Sequence, residues 1–203
     1  QGLEESEELA GHHFTVEMET GTCKTYVYLR TIFELHRRYG LRKFVIAVPS
    51  VAIREGVLAS IRSMAGHFRA HFATPLDCAV YDSKRLGRVR NFATASGLQV
   101  LVMNIQSFQK DAAADDDTSA NVINRSHDRM AGRKPIEFIQ AMRPVVVIDE
   151  PQNFESAGAR AAIDRLAPLC TLRYSATPRD PYNLVHRLGP VDAFRYGLVK
   201  QIE

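Results

Sequence analysis

Three short strings, in fixed order, constrain this chain more than any bulk property. They are Met18-Glu-Thr-Gly-Thr-Cys-Lys-Thr25, Asp149-Glu-Pro-Gln152 and Ser175-Ala-Thr177. Each follows an apolar run of strand length. Phe14, Val16 and Met18 alternate with polar residues before the first, Val145–Ile148 precedes the second, and Thr171–Tyr174 precedes the third. A chain that presents polar, turn-forming strings at the ends of buried-type strands is built to gather them at one edge of a sheet.

The segments between the strings supply that sheet. Apolar residues from Lys24 to Tyr39 recur at helical spacing until Gly40 stops the helix. Lys43–Val48 reads as a buried strand closed by Pro49, and Ser50 can cap a helix over about 51–66. A strand at Leu76–Tyr81, a helix near 86–95 ended by Gly97, and a strand at Leu98–Met103 follow. Ile136–Met142 reads as a short helix, and a helix near 156–166 leads to the last strand. Residues 1–13 read as a polar arm, with residues 14–203 as one domain. Residues 110–134 are polar and carry Asp115, Asp116 and Asp117, which predicts an insertion or partial disorder. Residues 181–203 give no clear pattern. Strands alternating with helices predict an α/β fold with a mostly parallel central sheet and helices on both faces. Such sheets bind ligands beyond the carboxyl ends of their strands, where all three strings fall.

Composition narrows the class. At 203 residues with 45% hydrophobic content the chain can build one domain with a full core. A net charge of +3 permits nucleic-acid binding without requiring it. No apolar run approaches the roughly 18 residues of a membrane span. Cys23, Cys78 and Cys170 are scattered and odd in number, which suits a reducing compartment. The chain begins at Gln1 and is read as a piece of a longer protein.

Each string carries a chemistry. The first reads as a phosphate loop entering a helix, whose N-terminal N–H groups converge on anionic oxygens. Gly21 and Thr22 complete the bend, Thr20 and Cys23 stand with them as nucleotide-binding positions, Lys24 reaches the β- and γ-phosphates, and the Thr25 hydroxyl ligates Mg2+. In the second, Asp149 is placed to hold Mg2+ and Glu150 to polarise an attacking water, with Pro151 enforcing the turn. In the third, Ser175, Ala176 and Thr177 lie where hydroxyls can report phosphate loss to the rest of the molecule. Two further loops, Val48-Pro-Ser-Val51 and Asn104-Ile-Gln-Ser107, join strand ends to helix starts. Pro49, Ser50, Asn104, Gln106 and Ser107 are thus candidates for holding a phosphodiester backbone, or else plain helix caps. Arg54, Lys84, Arg85, Arg88 and Arg90 add positive charge, which a solvated helix face also explains. The seven histidines show no ligand spacing.

With these residues in view, the chain resembles the first RecA-like motor domain of superfamily 2 helicases and translocases. More narrowly it resembles the Res subunit of type III restriction–modification enzymes. The blocks that carry the likeness are residues 18–28, Lys43–Pro49, Val100–Phe108, Arg143–Gln152 and Leu169–Thr177. The resemblance implies ATP and Mg2+ as cofactors, duplex DNA as the track, a methyltransferase (Mod) subunit as partner, and a prokaryotic cytoplasm. It implies Lys24, Asp149 and Glu150 as catalytic residues, residues 20–25 on nucleotide, Thr25 and Asp149 on metal, and Ser175–Thr177 in coupling.

Two features depart from the pattern. Cys23 stands where a phosphate loop has glycine, and Ser50 where threonine is commoner. Glycine there takes a backbone conformation open to few other residues. A loop that tolerates cysteine, a degenerate site and an introduced change are all consistent with it. No match to a second motor domain or a nuclease domain is present in these 203 residues. The expectation is therefore a chain that alone does not turn over ATP, within a full protein that translocates on DNA and cleaves it. Two other readings stay open: a different superfamily 2 DNA or RNA helicase, and a non-catalytic module that docks DNA or a partner.

Overall fold

The computed structural model describes residues 5–6, 8–107, 122–178 and 181–198. Among these residues seven strands form one sheet: β1 (His13–Met18), β2 (Lys43–Val48), β3 (Leu76–Val80), β4 (Leu98–Asn104), β5 (Val145–Asp149), β6 (Cys170–Ser175) and β7 (Leu184–Leu188). The order is β3-β4-β2-β5-β6-β1-β7, and every pairing is parallel. Among the described residues five helices lie between strands, α1 (Lys24–Tyr39), α2 (Val51–Phe72), α3 (Gly87–Thr94), α4 (Pro135–Met142) and α5 (Ala157–Arg165), and α6 (Pro190–Arg195) follows β7. No described helix is long and apolar enough to cross a membrane.

The central strands are apolar on both faces because both faces are covered. Alternate residues separate into two cores. Phe44, Ile46 and Val48 of β2, with Val145 and Val147 of β5, pack under α1 and α2. Val45, Ala47, Val146 and Ile148 face the other way, toward residues of α3, α4 and α5. This is the period-two consequence of a strand buried on each side.

Three elements go beyond the sequence pattern. Helix α2 does not stop at Gly66 but runs on to Phe72. Phe68 and Phe72 each stack on Phe33 of α1 at 5.0 Å, and that packing carries the helix past a residue that would cost an isolated helix about 1 kcal/mol. Within the polar stretch, residues 122–134 are built into the structure, with Ile123 and Met130 fully buried in the core; residues 110–121 lie outside the described residues. In the C-terminal stretch, Leu184–Leu188 adds an edge strand to β1. Its free edge is covered by the arm: the Ser6 N–H donates to the Leu184 carbonyl at 2.8 Å, and the Leu184 N–H donates to Ser6 Oγ at 2.9 Å. Covering an edge in this way removes a template for unwanted strand pairing.

Candidate functional site

Parallel strands end together, so the strand order sets the order of the loops that follow them. Along one edge of the sheet stand the loops after β4 (from Ile105), β2 (from Pro49), β5 (from Glu150), β6 (from Ala176) and β1 (from Glu19). The three strings occupy three adjacent strand ends. The candidate DNA loops occupy the next two.

The first loop is held at both ends. The Glu19 N–H donates to the Leu188 carbonyl of β7 at 3.0 Å, and the Thr22 N–H and hydroxyl both donate to the Glu19 carbonyl, at 3.2 and 2.5 Å. Thr20 is exposed, and its N–H donates to Glu19 Oε1 at 2.7 Å. Gly21 has φ +83°, a conformation that suits glycine. Cys23 caps α1 with φ 61° and ψ 43°, in the left-handed region, and its side chain is exposed. The loop thus takes at Cys23 the backbone that glycine adopts freely, and the cysteine bears the strain, about 1–2 kcal/mol.

Lys24 and Glu150 bring the first and second strings together. The Lys24 ammonium lies 3.1 Å from Glu150 Oε1. The lysine reaches past β6, because β1 and β5 are separated by that strand, about 10 Å in all. Glu150 itself has φ 57°, the left-handed turn that swings its side chain toward Lys24 at the strand end, and its N–H donates to the Tyr174 carbonyl at 3.1 Å. Pro151 then starts a short 3-10 turn. Left-handed backbone thus occurs on both sides of one ion pair, at Cys23 just before Lys24 and at Glu150 itself.

Gln152 joins the second string to the third. Its Nε2 donates to Glu150 Oε2 at 2.7 Å, and its Oε1 accepts from the Ser175 hydroxyl at 3.3 Å. Ser175 Oγ in turn accepts from the Thr177 N–H at 3.1 Å. Ser175 is fully buried, Ala176 half-buried and Thr177 exposed. A continuous polar chain runs Lys24, Glu150, Gln152, Ser175, Thr177. Sequence reading gave Gln152 no separate role. Its presence in the second string was the available signal, but only the fold sets it between a carboxylate and a hydroxyl.

Asp149 is buried at 7% exposure. Burial pushes its carboxyl up to about 6, and the neighbouring Glu150 charge adds to the rise; Lys24 and a backbone hydrogen bond from Glu150 oppose it. A carboxyl that titrates near 4 unfolded and near 6 folded holds its proton more tightly in the native state. Its stabilising influence is complete below pH 4 and is lost as pH rises through 6. At pH 7 the cost is on the order of 2–3 kcal/mol. Asp149→Asn should therefore raise the urea midpoint at pH 7 and flatten the decline between pH 4 and 6. An unchanged pH profile would show that Asp149 does not carry this burden.

The residues fit a nucleotide with a hard divalent cation. The Thr25 hydroxyl and the Asp149 carboxylate are oxygen donors of the kind Mg2+ takes, and Mg2+ sites commonly use one or two carboxylates with substrate phosphates. Among the described residues no cluster of three or more His, Cys, Asp or Glu forms a metal cage. The cation deficit at Asp149 is the feature a bound cation would relieve.

The candidate DNA loops lie side by side, since Val48 and Asn104 are register partners. Pro49 and Ser50 are half-buried, and Ser50 Oγ accepts from the Ile53 N–H at 3.2 Å as the cap of α2. Asn104 is buried, and its Oδ1 accepts from the Gln106 N–H at 3.1 Å. Gln106 is exposed, and the backbone of Ser107 ends a 3-10 turn. The Ser50 and Asn104 side chains thus bind local backbone, and Gln106 presents the free surface.

Comparison with known proteins follows the same lines. Residues 3–180 match the family model described as type III restriction enzyme, res subunit. The chain is 33% identical to the type III restriction-modification enzyme EcoP15I Res subunit of Escherichia coli and to the EcoPI Res subunit of Escherichia phage P1, over 92% of its own length in each case. It spans 21% of the length of these relatives. A nuclease-deletion mutant of the type ISP restriction-modification enzyme LlaGI, solved with a DNA substrate mimic, matches with TM-score 0.59 at 15% identity, covering 93% of this chain and 19% of that one. The Sulfolobus solfataricus SWI2/SNF2 ATPase core, solved with dsDNA, matches with TM-score 0.51 at 14% identity, covering 83% of this chain and 28% of that one. At such identities the structural matches speak for the fold, which is the RecA-like α/β fold expected from the strings.

Proposed function

Because the chain belongs to the family of type III restriction enzyme Res subunits, we propose that it is the N-terminal ATP-binding motor domain of such a subunit. The whole protein uses ATP hydrolysis to translocate on duplex DNA before cleaving it, with a methyltransferase (Mod) subunit as partner. The observation that carries this reading is the polar chain from Lys24 through Glu150 and Gln152 to Ser175. Three strings, the first more than a hundred residues before the other two, form one connected network.

In this reading residues 20–25 cradle the triphosphate, and Thr25 and Asp149 hold Mg2+. The cation, when bound, offsets charge on the phosphate oxygens. Lys24 exchanges the Glu150 carboxylate for phosphate, since one ammonium cannot neutralise both at full strength. That exchange frees Glu150 Oε1, while Gln152 keeps Oε2 in place. Glu150 is then an oriented base able to take a proton from water. Gln152 passes any movement of Glu150 to Ser175 and Thr177. Pro49, Ser50, Asn104, Gln106 and Ser107 hold the DNA backbone on neighbouring strand ends. Transition-state charge in such motors is stabilised from a second domain across the cleft, so this chain alone binds nucleotide without fast turnover.

Calorimetric titration of the chain with Mg2+ and a non-hydrolysable ATP analogue, beside Cys23→Gly, tests the reading. The two should bind within about threefold, a difference of under 1 kcal/mol. The backbone at Cys23 already has φ 61°, and its side chain is exposed. Their folding stabilities should differ by no more than about 1 kcal/mol, because relieved strain and added chain entropy oppose each other. Binding by the glycine form alone would favour a non-catalytic docking module. Binding by neither would remove the nucleotide reading for this chain.

A further inference from the structure

Two tyrosines lie beneath the site, and they differ in one respect. Tyr28 and Tyr174 pack edge to face, with ring centroids 5.7 Å apart, and both are almost wholly buried. The Tyr174 hydroxyl donates to Thr31 Oγ1 at 3.1 Å. The Tyr28 hydroxyl is buried with no hydrogen-bond partner among the described residues. A buried hydroxyl left in that state costs about 1–3 kcal/mol, and a core position that needs only an aromatic ring is filled without that cost by phenylalanine.

Its surroundings show where the hydroxyl is directed. Tyr28 stands three residues beyond Thr25 in α1, on the same helix face. Asp149 is the register partner of Tyr174, so both side chains stand on the face of the sheet where Tyr174 packs against Tyr28. The orphaned oxygen therefore lies on the side that carries both side chains assigned above to the cation, one on α1 and one at the end of β5.

We propose that Tyr28 is a positioning residue of the metal–phosphate site, its hydroxyl accepting the Thr25 proton and donating to the Asp149 carboxylate when the site is loaded. The inference rests on the nucleotide reading above. Turning the Thr25 proton toward Tyr28 leaves the Thr25 lone pairs facing the cation. Donation to Asp149 fixes which carboxylate oxygen remains for it. The unmade hydrogen bonds of Tyr28 are then a cost of the unloaded protein that loading removes, and that difference favours binding. A ring needed only for packing would show no such linkage to the cation.

Tyr28→Phe separates the two roles, because it deletes the oxygen and keeps the ring. Thermal unfolding without nucleotide and calorimetric titration with a non-hydrolysable ATP analogue would be measured, with Mg2+ and with EDTA, for both proteins. The expected variant melts at the same temperature or a few degrees higher, since it loses only an unsatisfied group. It binds the analogue about tenfold more weakly in Mg2+, the scale of one or two lost hydrogen bonds, and equally in EDTA. Equal affinity in Mg2+ would overturn the proposal while leaving the nucleotide reading intact. A loss of affinity that is the same in Mg2+ and EDTA, or a lower melting temperature, would also overturn it by showing a packing role. No binding by the unaltered chain would sink the nucleotide reading and this proposal with it.

Discussion

Lys24→Met should lower the affinity of this chain for Mg2+ and a non-hydrolysable ATP analogue by about 150- to 20,000-fold. The range is that of two charge-assisted hydrogen bonds to phosphate at about 1.5–3 kcal/mol each. A second consequence adds to the first. Lys24 is one of the influences that hold down the Asp149 carboxyl, which burial has already pushed up to about 6. Without the ammonium, more of Asp149 is protonated near neutral pH, and a protonated carboxyl is a poor ligand for Mg2+. Glu150 also loses the ammonium at 3.1 Å and, among the described residues, keeps the side-chain hydrogen bond from Gln152. Calorimetric titration at pH 7 and pH 8 checks both effects, because the higher pH should recover part of the loss by ionising Asp149. Affinity within threefold of the unaltered chain would take Lys24 out of the phosphate site.

Phe33→Ala should cost about 3–5 kcal/mol of folding stability, which for a chain of this size lowers the melting temperature by roughly 6–20 °C. Phe33 is 2% exposed and stacks on both Phe68 and Phe72 at 5.0 Å. Those two rings lie in the last two turns of α2, beyond Gly66, where local propensity argues for a stop. Truncating Phe33 leaves a cavity and removes the partner that justifies the extension, so helix content should fall as well. Phe33→Leu, which keeps most of the volume, should lose far less. Denaturant unfolding followed by circular dichroism measures both quantities. A loss under 1 kcal/mol for the alanine variant would mean that the end of α2 is held by other contacts.

The legible parts of this molecule are those where a local rule and the global fold agree. β2, β5 and α1 start and stop close to where apolar runs, Gly40 and Pro49 placed them. The parts that were not legible depend on distant partners. β7 has no strong strand pattern, because it pairs on one side only and its outer residues Val185 and His186 stay exposed. The Val122-Ile123 pair and Met130 are sparse apolar residues in a polar stretch, and no periodicity marks them for the core. Ser50 and Asn104 read equally as phosphate contacts or as caps. The structure shows their side chains bonded to local backbone, and nucleic-acid binding there stays a proposal.

The sequence by itself determined the three strings, the strands that present them and the α/β class, because each is set by residue type over a few positions: glycine and lysine before a helix, a β-branched run before two acids, alternation before a turn. It also raised the question at Cys23. Only the tertiary structure decided that Cys23 takes the left-handed backbone of the glycine it replaces, that Lys24 spans a whole strand to reach Glu150, and that Gln152 stands between Glu150 and Ser175. It alone left the Tyr28 hydroxyl without a partner among the described residues beneath the site. The physical reason is the crossover. In a parallel sheet each connection returns the chain to the same edge, so residues more than a hundred positions apart become neighbours by strand order, a quantity that no local pattern encodes.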